Sequence, residues 1–89
     1  MANISHGMNI GEVRDLAGKL KQISQEINGM VNMLNGKVNS TSWVGPDATK
    51  FKSDWWPQHR QHLQKMATDL DGFGQSALNN ATEQENVSR

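Results

Sequence analysis

The sequence predicts an all-α protein, an antiparallel two-helix hairpin that dimerises into a four-helix bundle. Apolar residues recur at steps of three and four along residues 10–38 and again along 48–81, which is the period of one face of a helix. The stretch NSTSWVG at 39–45 interrupts this rhythm with residues typical of a loop. Both stripes are too wide for a bare hairpin to cover, whereas two hairpins packed together can cover them.

Composition excludes several other classes of protein. The chain has 89 residues, no cysteine, and nine basic residues balanced by nine acidic ones, so we expect one domain, 1–89, without a disulfide framework. Nucleic-acid binding needs a basic surplus, and stable membrane insertion needs about 20 consecutive apolar residues; neither is present. The N-terminus lacks the charged and apolar segments of an ordinary cleaved signal peptide.

The first helix is predicted over about residues 10–39. Asn9 followed by Glu12 resembles a capping box with Asn9 as the N-cap. The apolar stripe is an a/d pattern widened by one flank, as expected for a helix that packs against more than one neighbour. We expect its side chains to lie in the dimer and bundle core: Val13, Leu16, Leu20, Ile23, Ile27, Met30 and Leu34.

The turn is predicted at 40–45 and the second helix at about 46–84. Pro46 suits the first helical position, where the missing N–H would have no partner. Pro57 lies inside the pattern and predicts a kink near 54–57, because it removes a backbone hydrogen bond. Residues 85–89 have little to bury and are expected to be a flexible tail. The second helix should add to the core Phe51, Trp55, Leu63, Met66, Leu70 and Phe73.

No pattern in the sequence indicates an enzyme, a cofactor or a metal. There is no nucleophile elbow, no Gly-rich phosphate loop and no carboxylate pair with a cleft around it. His59 and His62 are three residues apart, a spacing that metal ligands can use, but no carboxylate is placed to complete a site. Trp55 and Trp56 are adjacent and point about 100° apart on a helix, so one should be core and the other exposed or interfacial.

Two amphipathic helices around Trp43-Val44-Gly45, in a chain of this length, resemble the WXG family, the small proteins similar to the early secreted antigenic target of mycobacteria. The stretch SWVGPDATKFKSDW is especially similar to actinobacterial members. The resemblance implies export of a folded dimer by the type VII (ESX) pathway, driven by an FtsK/SpoIIIE-type ATPase. The dimer partner is the chain itself or a sister hairpin. The protein is expected to be cytoplasmic before export and then secreted or at the cell surface.

The resemblance also implies two recognition elements. The first is the turn, with Trp43, Gly45 and Pro46. The second is a Tyr-x-x-x-Asp/Glu motif beyond the second helix, and this chain departs from it because it has no tyrosine. Either the partner carries that motif, or recognition uses other residues of the tail, for which the candidates are Ala81, Glu83, Gln84 and Glu85.

Two questions stay open at this level. Trp43 is either a plug that closes the end of the bundle or a recognition residue, and the two roles are compatible. The function is either that of an exported dimer or that of an adaptor hairpin that pairs with a larger effector carrying its own Trp-X-Gly domain. An unrelated coiled-coil interaction module is a third reading.

Overall fold

A computed structural model describes residues 4–5 and 7–87, and it confirms the all-α hairpin. Helix α1 spans Ile10–Ser40. The returning arm consists of α2 (Pro46–Lys50), a π-helical turn (Phe51–Trp55) and α3 (Trp56–Val87), which follow one another without a break. Two short antiparallel strands, β1 (Ile4–Ser5) and β2 (Met8–Asn9), precede α1. The hairpin is a rod with extents of 64 × 16 × 14 Å.

Helix α1 begins as the sequence predicts. The backbone N–H of Glu12 donates to Oδ1 of Asn9 at 3.0 Å, so the N-cap is confirmed. This bond satisfies one of the amide groups that the first helical turn leaves without a partner. The helix ends at Ser40, within one residue of the expected boundary.

The returning arm is irregular ahead of Pro57, and it continues further than the sequence predicts. Ahead of Pro57, the chain forms one π-helical turn, in which the N–H of Trp56 bonds to the C=O of Phe51. A π-helical turn contains one residue more than an α-helical turn, and it is one of the known causes of irregularity in a helix. At the other end, α3 continues to Val87. The expected flexible tail is therefore wrong for residues 85–87, while 88 and 89 lie outside the described residues.

The two arms meet along a seam of mostly small residues spaced by sevens. Those on α1 are Ile10, Ala17, Ser24, Val31 and Val38, and those on α3 are Ala67, Gly74 and Ala81. At Gly74 the arms are so close that a Cβ atom would lie 3.0 Å from the backbone oxygen of Ala17. The Ser24 hydroxyl donates to the C=O of Ala67 across the same seam. Small side chains are needed here because larger ones would push the arms apart.

Larger apolar side chains line one side of this seam, and none of those predicted for the bundle core is buried within the hairpin. In the single chain, therefore, the core consists of the seam residues, Ala48 and Trp56, whereas Trp55 is 49% exposed. The NεH group of Trp56 donates to Oδ1 of Asn35 at 2.9 Å, which joins the two arms near the turn. That the predicted residues form a core between two chains stays a prediction.

Candidate functional site

The turn at residues 41–45 is shaped by backbone geometry that only glycine adopts readily. Gly45 has φ +126° and ψ 175°, a conformation in which a side chain would be strained. Its carbonyl accepts the N–H of Thr49 at 3.0 Å, and Pro46 occupies the first helical position of α2. On the other side, the N–H and hydroxyl groups of Thr41 both donate to the C=O of Lys37, at 3.1 and 2.6 Å. The turn thus begins and ends at fixed hydrogen bonds.

A lysine of the returning arm fastens the middle of this turn. The ammonium group of Lys52 donates to the C=O of Thr41 at 2.7 Å and lies 3.4 Å from the C=O of Trp43. These carbonyls follow the C-terminus of α1, where the helix dipole favours a cation. Lys52 is therefore a positioning residue for the backbone that carries the Trp43 side chain. The sequence shows lysines at 50 and 52 but does not by itself predict this contact.

Trp43 is neither fully buried nor free. Its ring lies 5.7 Å from that of Phe51, at 50° between the planes, and its side chain is 44% exposed. The indole covers a small cavity that is lined by Lys37, Val38, Thr41, Phe51 and Lys52. The neighbouring Val44 is 94% exposed. The turn thus presents an indole that one face of the molecule supports and water reaches from the other.

Aromatic rings continue from the turn along the returning arm. Phe51 stacks on Trp55 at a centroid distance of 5.1 Å, Trp55 stacks on His59 at 3.9 Å, and His62 lies 6.1 Å beyond. Nδ1 of His59 is also 2.8 Å from the C=O of Trp55. The sequence analysis considered the spacing of the two histidines only for a metal site and did not predict this continuous row. The signal for it was the spacing of 51, 55 and 59, since residues four apart are neighbours on a helix.

The apolar face is the side of the rod on which both arms expose large apolar side chains. Near the turn, α1 and the returning arm together line an open groove that reaches from Leu34 to Met66; its side chains are apolar or aromatic, and they include His59 and His62. A second, smaller groove follows it along Ile27, Met30 and Leu63. The face contains the predicted core residues, which are half-buried or exposed in the single chain: Val13, Leu16, Leu20, Ile23, Ile27, Met30, Leu34, Phe51, Trp55, Leu63, Met66, Leu70 and Phe73.

The opposite side of the rod, the polar face, is closed by polar contacts between the arms. Arg14 makes a bidentate pair with Glu85 at 2.9 and 3.1 Å, and Lys21 lies 3.5 Å from Asp71. The hydrogen bonds that Arg14 donates to Glu85, and then the charge of Glu85, raise the pKa of Arg14 above its ordinary value. These charged groups of the polar face already have partners within the hairpin, whereas the large side chains of the apolar face stay half-buried or exposed. The apolar face is therefore the better candidate for contact with another chain.

The model of the WXG100 family, described as proteins of 100 residues with WXG, matches residues 7–87. The chain belongs to the WXG100 family. Neither the curated proteins nor the solved structures include one with significant similarity to it. WXG100 proteins are small helical hairpins, in general without enzymatic activity, and are known as secreted proteins of type VII secretion.

In this WXG100 chain the structure separates the four residues considered for a tail signal. Ala81 is buried in the seam, and Glu85 is held by Arg14. Gln84 is half-buried, while Glu83 is exposed. The four therefore do not form one surface, and Glu83 is the candidate that is most open to a partner.

Within 4–5 and 7–87, no three side chains of the types that bind metals lie together. The same part of the chain contains no helix that is long and apolar enough to cross a membrane. Its distinctive surfaces are thus the turn with its aromatic row and the apolar face.

Proposed function

We propose that this WXG100 protein is a non-enzymatic substrate or co-secreted partner of a type VII (ESX) system, exported as a folded dimer. The observation that carries the proposal is the apolar face, which both arms of the hairpin build and which a single chain leaves in water. The chain exposes 6501 Å², compared with about 5,200 Å² for a compact monomer of 9.9 kDa. A second hairpin on the apolar face would cover much of this excess.

The turn supports a recognition role within that function. A half-exposed tryptophan offers a large, rigid contact area at a low entropic cost, and such residues are frequent hot spots of interfaces. Here Gly45, Pro46 and Lys52 fix the backbone that presents it. We propose that Trp43, held by these contacts, is recognised by the FtsK/SpoIIIE-type ATPase of the export system.

The alternative function, an adaptor that pairs with a larger Trp-X-Gly effector, uses the same two surfaces. The two functions differ in the partner that covers the apolar face. Genes beside this one that encode a sister hairpin would favour the exported dimer, and a gene for a large toxin would favour the adaptor.

Replacement of Trp43 by alanine tests the recognition role. Because the side chain is partly in water, Trp43→Ala should cost less than about 1.5 kcal/mol of unfolding free energy, while export to the medium fails. A plug of the bundle end would instead cost about 3–5 kcal/mol. Chemical denaturation, circular dichroism and a secretion assay on the same variant measure both effects.

The matched control is Val44→Ala, which removes apolar atoms from the same turn at a fully exposed position. It should leave both stability and export unchanged. A stable Trp43→Ala dimer that reaches the medium as efficiently as the wild-type protein would contradict the recognition role.

A further inference from the structure

Three methionine side chains of this hairpin are exposed to solvent. The chain has no cysteine and five methionines, so thioether groups are the only form in which it carries sulfur. Folded proteins bury methionine more often than most residues, yet Met30, Met33 and Met66 are 59%, 72% and 57% exposed. All three side chains are therefore accessible to small reagents in solution.

Two of these methionines lie on the apolar face, one on each arm. Met66 of α3 lines the groove near the turn, and Met30 of α1 lines the smaller groove that follows it. Leu34 and Leu63 belong to both grooves, so the two methionines flank one pair of leucines. Met30 and Met66 thus form a single patch, to which each arm contributes one thioether.

Met33 is the most exposed of the three methionines but lies on another side of α1. It lines neither of the two grooves. It follows Val31, which is buried in the seam, by two positions, and therefore points about 200° away from it around the helix. The chain thus contains its own comparison, with two exposed thioethers on the apolar face and one outside it.

We propose that Met30 and Met66 are a site of reversible oxidation, and that oxidation of this patch and pairing of the chain exclude one another. The oxidant is of the peroxide class. The thioether sulfur attacks one oxygen of hydrogen peroxide, the O–O bond breaks, and the transferred oxygen gives its proton to the departing hydroxide. The products are a sulfoxide and water, and the sulfur loses the two electrons that the peroxide gains. Methionine sulfoxide reductases reverse the step.

A sulfoxide changes the apolar face because it turns an apolar side chain into a polar one. The other side chains that line the groove at Met30 are those of Val, Leu and Ile. A chain that covers this groove buries the sulfoxide oxygen among side chains that cannot donate a hydrogen bond to it, which is unfavourable. His62 precedes Met66 by four residues and lines the same groove, so its imidazole can donate to a sulfoxide there. Oxidation of Met30 should therefore have the larger effect.

The link to pairing rests on the proposed function, in which a second hairpin covers the apolar face. A covered face shields both thioethers from peroxide, and a face that carries sulfoxides is unfavourable to cover. The hairpin itself should survive oxidation, because the seam and Trp56 join the two arms. Oxidation therefore acts on the chain before it pairs or after it separates, and it keeps the chain single.

The first experiment compares the pairing of reduced and oxidised chains. The wild-type chain is unfolded in urea, treated with hydrogen peroxide until mass spectrometry shows full oxidation of its methionines, and refolded, so that pairing protects none of them. Light scattering over a dilution series should show self-association that is weaker than that of the reduced chain by about tenfold or more. Circular dichroism should be unchanged. Equal association of the two forms would overturn the proposal.

Two matched variants assign the effect to the patch. Met30→Leu combined with Met66→Leu keeps the apolar volume but cannot be oxidised there, so peroxide treatment should leave its association unchanged. Met33→Leu is the control, and it should lose association on oxidation as the wild-type chain does. If oxidation weakened the double variant as much as the wild-type chain, the assignment to Met30 and Met66 would be wrong.

A further pair of variants needs neither oxidant nor refolding. Met30→Gln places a polar side chain of similar length on the patch, and Met33→Gln places one outside it. Only Met30→Gln should weaken self-association, by about tenfold, while circular dichroism shows both variants to be as helical as the wild-type chain. Equal association of these two variants would contradict the role of the patch.

The folded chain tests whether pairing and oxidation exclude one another. Under limiting peroxide, Met33 serves as the internal reference because it lies outside the apolar face. Met30 and Met66 should be oxidised more slowly relative to Met33 as the protein concentration rises and dimers form, which peptide mapping by mass spectrometry measures. A constant ratio across concentrations at which dimers form would refute the exclusion.

Dye binding separates this inference from the proposed function. If the reduced chain stays a single hairpin at every concentration, self-pairing fails, but the apolar face is then open to ANS, a dye that binds exposed apolar surface. Peroxide treatment should then lower ANS fluorescence for the wild-type chain and leave it unchanged for the Leu double variant. That result supports the oxidation site although the chain does not pair with itself, whereas unchanged fluorescence of the wild-type chain would overturn the site.

Discussion

The seam and the apolar face lie side by side on the same two helices, yet they hold opposite kinds of residue. The seam consists largely of Ala, Gly, Ser and Val, which the hairpin buries. The apolar face consists of Leu, Ile, Met and aromatic residues, which the hairpin leaves half-buried or exposed. The difference shows that close packing within the chain uses small side chains, while the large apolar side chains stay outside that packing.

The largest effect on stability is expected at Trp56, where a large side chain does enter the contact between the arms. It is 4% exposed and bonded to Asn35, so Trp56→Ala should lower the free energy of unfolding by about 3–5 kcal/mol. Trp55→Ala, the matched change on the apolar face, should mainly weaken association. Denaturation at several protein concentrations separates the two, because only the loss at Trp55 should depend on concentration. If the loss of stability depended equally on protein concentration in both variants, the distinction between contacts within the hairpin and contacts on the apolar face would be contradicted.

The next effect concerns the closeness of the arms at the seam. Gly74→Leu places atoms against the backbone oxygen of Ala17 and should cost about 1–3 kcal/mol, as overpacking does. Gly72→Leu is its control, because no atom lies within 4 Å of a Cβ built at Gly72. That control should be stabilised by up to about 1 kcal/mol through its higher helix propensity. Thermal melts compare the two variants. If Gly74→Leu were as stable as Gly72→Leu, the close approach of the two arms at Gly74 would be contradicted.

A smaller effect is expected where Lys52 fastens the turn. Lys52→Met keeps the aliphatic stem and removes the hydrogen bonds to the carbonyls of Thr41 and Trp43, a loss of about 1 kcal/mol for this exposed site. Hydrogen exchange of the amides at 41–45 should become faster. Lys50→Met removes a neighbouring charge that makes no such bonds, and it should leave exchange at the turn unchanged. Unaltered exchange in Lys52→Met would show that Gly45 and Pro46 alone hold the turn.

The smallest effect is expected on the polar face, at the pair of Arg14 and Glu85. Glu85→Gln should change the melting temperature by no more than a few degrees, since exposed ion pairs contribute little. Glu85 raises the pKa of Arg14 in the folded chain above the ordinary arginine value. The contribution of Arg14 is therefore fully present below that ordinary value, which includes neutral pH, and it is lost as the pH rises through the folded pKa. Thermal melts at pH 6 and pH 8 should show the same small change in melting temperature. A large change would mean that the stability of this end of the rod depends on the Arg14–Glu85 pair.

Local signals in the sequence were sufficient for the elements and their ends. Asn9 caps α1 and Pro46 begins α2 because the bonds that define a helix start involve residues within one turn of each other. The Gly45–Pro46 pair likewise predicted where the chain turns back, because the turn is also defined by residues close together in the sequence. The tail was wrong because α3 continues to Val87, and Glu85 within it pairs with Arg14 of α1, which is 71 positions away in the chain.

By itself, therefore, the sequence determined two amphipathic helices, the turn between them and the small size of a single hairpin's core. Only the tertiary structure decided how each helix is rotated about its axis: the small residues face the other arm, and Trp56 rather than Trp55 turns inward behind the π-helical turn. Periodicity shows that a helix has an apolar side, but that side is wide enough to hold both the seam and the apolar face. The choice between them depends on how closely the two arms approach, a distance set by contacts such as those of Gly74 with Ala17, far apart in the chain.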